Sequence, residues 1–165
     1  GEFPRSLNDG TVNTMRILTL IDPLTSQPFI ARAVQRIGVT KSAPMDNFTK
    51  GGLSVSIDAD SGRLGMGAMH PHSTKFDRYS EHPETGVVFK GRQIPEWGLV
   101  RSRILQASAA LPMLKCIGWD VLISSDDVVA IEGNHHPDPD VLQAHEPLLI
   151  DERIRRFYQH YGIVS

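Results

Sequence analysis

Asp120, Glu132 and Asn134 are the residues whose types and spacing point most directly at chemistry. They stand in Ile117-Gly118-Trp119-Asp120-Val121-Leu122-Ile123, a polar Ser124-Ser125-Asp126-Asp127, and Val128-Val129-Ala130-Ile131-Glu132-Gly133-Asn134. Two apolar, β-branched runs about a short polar turn predict a β-hairpin. Side chains two apart share a face of a strand, so Glu132 and Asn134 face alike. Whether Asp120 joins them depends on register. With Val128 counted in the loop, Asp120 lies opposite Glu132 and three oxygen ligands converge; with a four-residue loop, Asp120 faces Ile131 and they do not. Two carboxylates and an amide oxygen make a hard donor set. Such a set suits magnesium, which keeps several waters and is held by one or two carboxylates together with nucleotide phosphates, whereas zinc takes nitrogen and sulfur. An exposed hairpin that merely carries two acids has the same composition.

The elements that would position these residues follow from periodicity. Thr14 to Leu20 alternates and is rich in β-formers, predicting a strand that carries Arg16. Asp22-Pro23 and Gln27-Pro28 bracket a turn, and Phe29 to Ile37 returns as a second strand with Arg32 and Arg36 on one face. A loop ending in Asp46-Asn47-Phe48-Thr49-Lys50-Gly51-Gly52 leads into an apolar run from Leu53 to Ile57; paired glycines let backbone turn tightly or approach a ligand. Asp58-Ala59-Asp60-Ser61-Gly62 is a turn without the downstream Glu of a calcium loop, and Arg63 to Met69 returns as a strand. The stretch from His70 to Gly91 holds His70, His72 and His82 at spacings that match no common zinc motif, and reads as a surface excursion. Trp97, Val100, Ile104, Ala107, Leu111 and Leu114 form one helical stripe, kinked or restarted at Pro112 and stopped by Gly118. Asp138-Pro139 begins a short helix through about His145, and Ile150, Ile154, Phe157 and Tyr161 mark a last one, with Asp151 and Glu152 at its positive end. The expected class is α+β, an antiparallel sheet of about five to seven strands with helices packed mainly on one face.

The chain has 165 residues, enough to bury a substantial core as a single domain. A formal charge of −2 gives no basic field for nucleic acid, and no apolar run approaches the ~20 residues of a membrane span. Cys116 is the only cysteine, which fits a reducing, cytoplasmic setting and a small core residue. Gly1-Glu2-Phe3 has the look of a cloning remnant, so residues 1–12 are expected to be a flexible lead-in and residues 13–165 the domain.

Gly118-Trp119-Asp120-Val121 followed by Ile131-Glu132-Gly133-Asn134 resembles the C-terminal core of ATP-grasp ligases, especially the α-L-glutamate-ligase-like branch and the sugar-transfer-associated ATP-grasp family. The latter also resembles this chain at Asn13-Thr14-Met15-Arg16, His82-Pro83, Phe89-Lys90-Gly91 and Ile94-Pro95-Glu96-Trp97, so the likeness runs from about Asn13 to Gln143. The resemblance implies that Asp120, Glu132 and Asn134 bind the magnesium ions that bridge ATP phosphates. It implies a phosphate role for Arg16 and for Lys50, which matches a basic residue ahead of the glycines, and a nucleotide-side role for Asn47, Gly51 and Gly52. The glutamate-ligase branch has an arginine where this chain has Met45. The implied activity is that of an ATP-dependent carboxylate–amine ligase working through an acyl phosphate on a small-molecule or sugar-linked carboxylate and amine, in polysaccharide or cell-envelope modification. The alternative is a nucleotide-binding or sugar-polymer-associated module without turnover. The resemblance further implies preceding N-terminal and lid domains in a parent chain, without which this piece is expected to be inactive alone.

Overall fold

The computed structural model describes residues 2–70, 77–124 and 127–165. Its strands are β1 (Met15–Ile21), β2 (Pro28–Ile37), β3 (Leu53–Ile57), β4 (Leu64–Met69), β5 (Arg78–Tyr79), β6 (Cys116–Ile123) and β7 (Val128–Asn134). Among the described residues they form one sheet in the order β5-β4-β3-β2-β1-β6-β7, antiparallel at every pairing. The helices are α1 (Glu2–Leu7), α2 (Trp97–Ala109), α3 (Asp140–Gln143) and α4 (Glu152–His160). The α+β class expected from the sequence is therefore the class observed.

The helices divide between both faces of the sheet, and here the structure departs from a layer packed mainly on one side. The cause is visible in β1, which lies between β2 and β6 and is buried at every residue. Met15 and Ile17 join a core with Trp97, Val100 and Ile104 of α2 and Leu7 of α1. Leu18 and Leu20 join a second core with Val141 and Leu142 of α3 and Ile154 and Phe157 of α4. A strand apolar on both faces needs cover on both, and each large side chain so buried contributes roughly 1.5–3 kcal/mol.

Two other expectations are corrected. The lead-in contains α1, because Phe3 and Leu7 fall one helical turn apart and Leu7 is buried, while the Asn13 amide donates to the Pro4 carbonyl at 2.8 Å. The α2 helix ends at Ala109, ahead of Pro112, and Gly118 lies inside β6. Gly118 is glycine for a different reason: a Cβ there would stand 2.5 Å from the Pro137 Cβ. The His-rich excursion is pinned by His82, whose Nδ1 accepts from the Glu84 and Thr85 amides and whose Nε2 donates to the Gly38 carbonyl at 2.9 Å. His72 lies outside the described residues. Among those described, no helix is long and apolar enough to cross a membrane.

Candidate functional site

The β6–β7 hairpin carries the site, and its register is set by a bulge. Ile123 pairs with Val128, Leu122 with Val129 and Val121 with Ala130, which is the four-residue loop; then Ile131 is skipped and Asp120 pairs with Glu132, Gly118 with Asn134. The short loop alone would have set Asp120 against Ile131. The extra residue in β7 moves the pairing by one and brings Asp120, Glu132 and Asn134 to one face. Asp120 is 9% exposed, Asn134 half-buried and Glu132 exposed. On the same face, one pair nearer the turn, Leu122 and Val129 leave apolar surface in water, with Val129 45% exposed.

Asp120 is held by two arginines. On its other side it pairs across β1 with Arg16, whose Nε lies 2.5 Å from Oδ1 and whose Nη2 donates to Oδ2 at 3.3 Å. The Arg36 Nη2 donates to Asp120 Oδ2 at 2.9 Å, and its Nε donates to Thr14 Oγ1 at 3.0 Å. Thr14 Oγ1 in turn donates to Asp46 Oδ2 at 2.7 Å, and Asp46 Oδ1 lies 3.5 Å from Arg36 Nε. Two guanidiniums and two carboxylates thus neutralise one another at the edge of a cleft of about 300 Å³ whose lining includes Arg16, Arg36, Asp46, Asn47, Asp120 and Asp138. Within this network Asp120 Oδ1 is buried and has no partner in hydrogen-bonding geometry, because Arg16 Nε approaches it off-angle. Oδ1 is thus ion-paired with Arg16 without a formed hydrogen bond, and a metal would have to displace that guanidinium; by type, the carboxylate and amide oxygens on this face suit magnesium. Among the described residues no group of three or more His, Cys, Asp and Glu side chains is arranged for a metal.

The other residues singled out in the sequence fall in one loop. Asn47 lines the cleft and caps a 3-10 turn at Phe48–Lys50, its Oδ1 accepting from the Thr49 amide at 3.0 Å. Gly51 closes that turn at φ 98°, a left-handed conformation open to glycine. Gly52 donates to the Asn47 carbonyl, and a Cβ on it would stand 2.8 Å from the Asp46 carbonyl oxygen. The pair of glycines therefore shapes the backbone that presents Asp46. Lys50 is exposed and does not line the cleft. Met45 lines it and is 55% exposed.

Sequence reasoning missed Arg36, Asp46 and Thr14 as members of the cluster. Arg32 and Arg36 share a face of β2, yet Arg32 pairs with Glu146 at 3.0 Å while Arg36 reaches Asp120. The only signal in the sequence was Asp46 standing next to Asn47.

The family model for sugar-transfer associated ATP-grasp matches residues 4–155, most of the chain. No curated protein and no solved structure gives a significant match.

Proposed function

The chain belongs to the sugar-transfer associated ATP-grasp family, and from that premise we propose that the cleft beside the β6–β7 hairpin is the magnesium–nucleotide site of an ATP-dependent carboxylate–amine ligase. Family membership makes the chain an ATP-binding, ligase-like module; the acyl-phosphate route and the residue roles are our reading. The observation that carries it is the bulged register that sets Asp120 opposite Glu132, with Asn134 on the same face.

Magnesium, when bound, would supply positive charge against the nucleotide phosphates. Asp120, Glu132 and Asn134 would hold it. Arg16 and Arg36, which neutralise Asp120 in this structure, are planar cations suited to phosphate oxygens. The Leu122–Val129 surface offers an apolar seat for the base. The Gly51-Gly52 loop positions Asp46, which orients Arg36 through Thr14. In the reaction, a substrate carboxylate oxygen attacks the γ-phosphorus as ADP leaves; an amine then attacks the acyl carbon, phosphate departs and the amine loses its proton. The protein's share is mainly positioning and charge compensation. The family's description as sugar-transfer associated supports a sugar-linked partner, and polysaccharide or cell-envelope modification is our extension of it.

A nucleotide-binding module without turnover is the second reading, favoured by Met45 lining the cleft where the related branch carries a cation. Calorimetric titration with a nonhydrolysable ATP analogue tests the site. Binding is expected with magnesium and not with a chelator. Binding indifferent to the metal, or none at millimolar concentration, would overturn it. ATP-dependent phosphate release that requires both a carboxylate and an amine distinguishes ligase from binding module.

A further inference from the structure

We propose that the apolar pocket next to the cleft seats the carboxylate substrate, and that this substrate carries an aromatic or branched aliphatic body. The proposal rests on the ligase reading above and names the substrate class of that site. The pocket encloses about 620 Å³, within the range of small-molecule sites, and lies among the start of β6, the loop after β7 and the end of α4. Its walls include Phe157 and Tyr158, and its rim is formed by Met113, Tyr161 and Ile163, which are 70%, 41% and 62% exposed. Large apolar side chains left in water around one concavity mark a binding surface rather than scattered exposure. Cys116 lies in the lining with its thiol pushed up to about 11 by burial, so it supplies apolar surface and no nucleophile.

Position and charge identify the occupant. Along the hairpin face the order is Leu122 with Val129, Asp120 with Glu132, Gly118 with Asn134, and then Cys116 and the His135-His136 pair. A nucleotide whose base rests on Leu122 and Val129 and whose phosphates reach the oxygen ligands therefore has its terminal phosphate directed toward this pocket. Asp138 lines both cavities, and Pro137, which lines the pocket, is pressed over Gly118. The polar groups in the lining include the Asp138 carboxylate, which accepts from the Asp140 amide at 3.0 Å, and three side chains able to donate: the Lys115 ammonium, which also donates to the Pro112 carbonyl at 2.7 Å, and the two imidazoles, packed edge to face at 4.2 Å between centroids. Donors at the mouth and hydrocarbon behind them match a carboxylate on an apolar body. A bare sugar would bury hydroxyls there without partners.

The test is an NMR-monitored titration of the 165-residue chain with 3-phenylpropanoate, 3-phenylpropanol and propanoate. Phenylpropanoate is expected to shift the amides of Cys116, His136 and Tyr158, and the alcohol and propanoate to bind roughly tenfold more weakly or less, since each lacks one half of the match. Met113→Glu, at an exposed rim position, is expected to weaken the carboxylate and spare the alcohol. Tyr161→Ala, also exposed, is expected to weaken both. Equal binding of acid and alcohol, shifts confined to other surfaces, or an affinity that neither variant alters would overturn the proposal. A separate titration of the unaltered chain with magnesium and a nonhydrolysable ATP analogue reads the nucleotide site on which the ligase assignment rests. Nucleotide binding without carboxylate binding defeats the pocket proposal alone. Carboxylate binding without nucleotide binding defeats the ligase reading and the substrate role with it.

Discussion

At the scale of single residues the site is a contest for one carboxylate. Asp120 answers to Arg16 and Arg36 in the structure and, on our reading, to a metal when nucleotide is bound; the cations it releases are then free for phosphate. Glu132 has no such structural duty, being exposed. Glu132→Gln is accordingly expected to weaken magnesium–nucleotide binding by about tenfold or more while leaving the melting temperature within the small range of surface changes; titration and thermal unfolding of the same sample check both. Asp120→Asn is expected to behave differently. It leaves two guanidiniums, 11% and 14% exposed, short of a counterion, and should cost roughly 3 kcal/mol in denaturant unfolding as well as binding. An Asp120→Asn protein as stable as the parent would contradict the arginine clamp. The contrast also shows what the sequence could display. That Glu132 and Asn134 share a face was legible by counting along one strand; Asp120's place opposite Glu132 was not, because it rests on the bulge at Ile131. Nor were Arg36, Asp46 and Thr14, because their meeting depends on neighbouring strands and a loop, and nothing local separates Arg36 from Arg32, which turns to Glu146.

At the scale of elements, the bulge at Ile131 decides whether the ligands meet. The sequence leaves two registers open, one per loop length; the fold keeps the short loop and corrects the register with an extra residue, a device common beside active sites. The Asn47–Gly52 loop is built as tightly. Gly52→Ala would set a methyl against the Asp46 and Asn47 carbonyls, at 2.8 and 2.9 Å, and should cost about 1–3 kcal/mol while loosening Asp46. Its check is the denaturation midpoint, with nucleotide affinity falling alongside. The α3 region is fastened to the sheet through His145, whose Nε2 lies 3.1 Å from Ser54 Oγ and whose Nδ1 lies 3.0 Å from Arg78 Nη1. Burial first, then the nearby charges of Arg78 and Arg32, holds this imidazole down at about 4, while the Ser54 hydrogen bond opposes them. Its unfolded value is about 6.5, so below that pH the unfolded chain takes up a proton the folded chain refuses. Stability is expected to decline as pH falls from about 6.5 toward 4, and His145→Gln should flatten that slope in melts across the range. A slope unchanged in the variant would remove His145 from the account.

At the scale of the whole molecule, a central strand buried on both faces divides the labour. One face, under α1 and α2, is packed core; the other, under α3 and α4, gives up part of its cover to the cleft and the pocket. Most strand positions were legible from apolar patterning, since β3 lies where the apolar run from Leu53 to Ile57 put it, while β5 falls in the stretch read as a surface excursion. The two-sided cover was harder to see: it rests on Leu18 and Leu20 finding partners in α3 and α4, far along the chain. The central claim is that the face bearing Asp120, Glu132 and Asn134 holds a nucleotide-bound divalent ion. Manganese, which shares magnesium's preference for oxygen ligands and broadens nearby NMR signals, tests it most directly. With a nonhydrolysable ATP analogue present, substoichiometric manganese is expected to broaden the amides around Asp120 and Glu132–Asn134 first, and Glu132→Gln to abolish the selectivity. Broadening that starts elsewhere, for instance at the Asp58–Asp60 turn, or that is the same without nucleotide, would contradict the site.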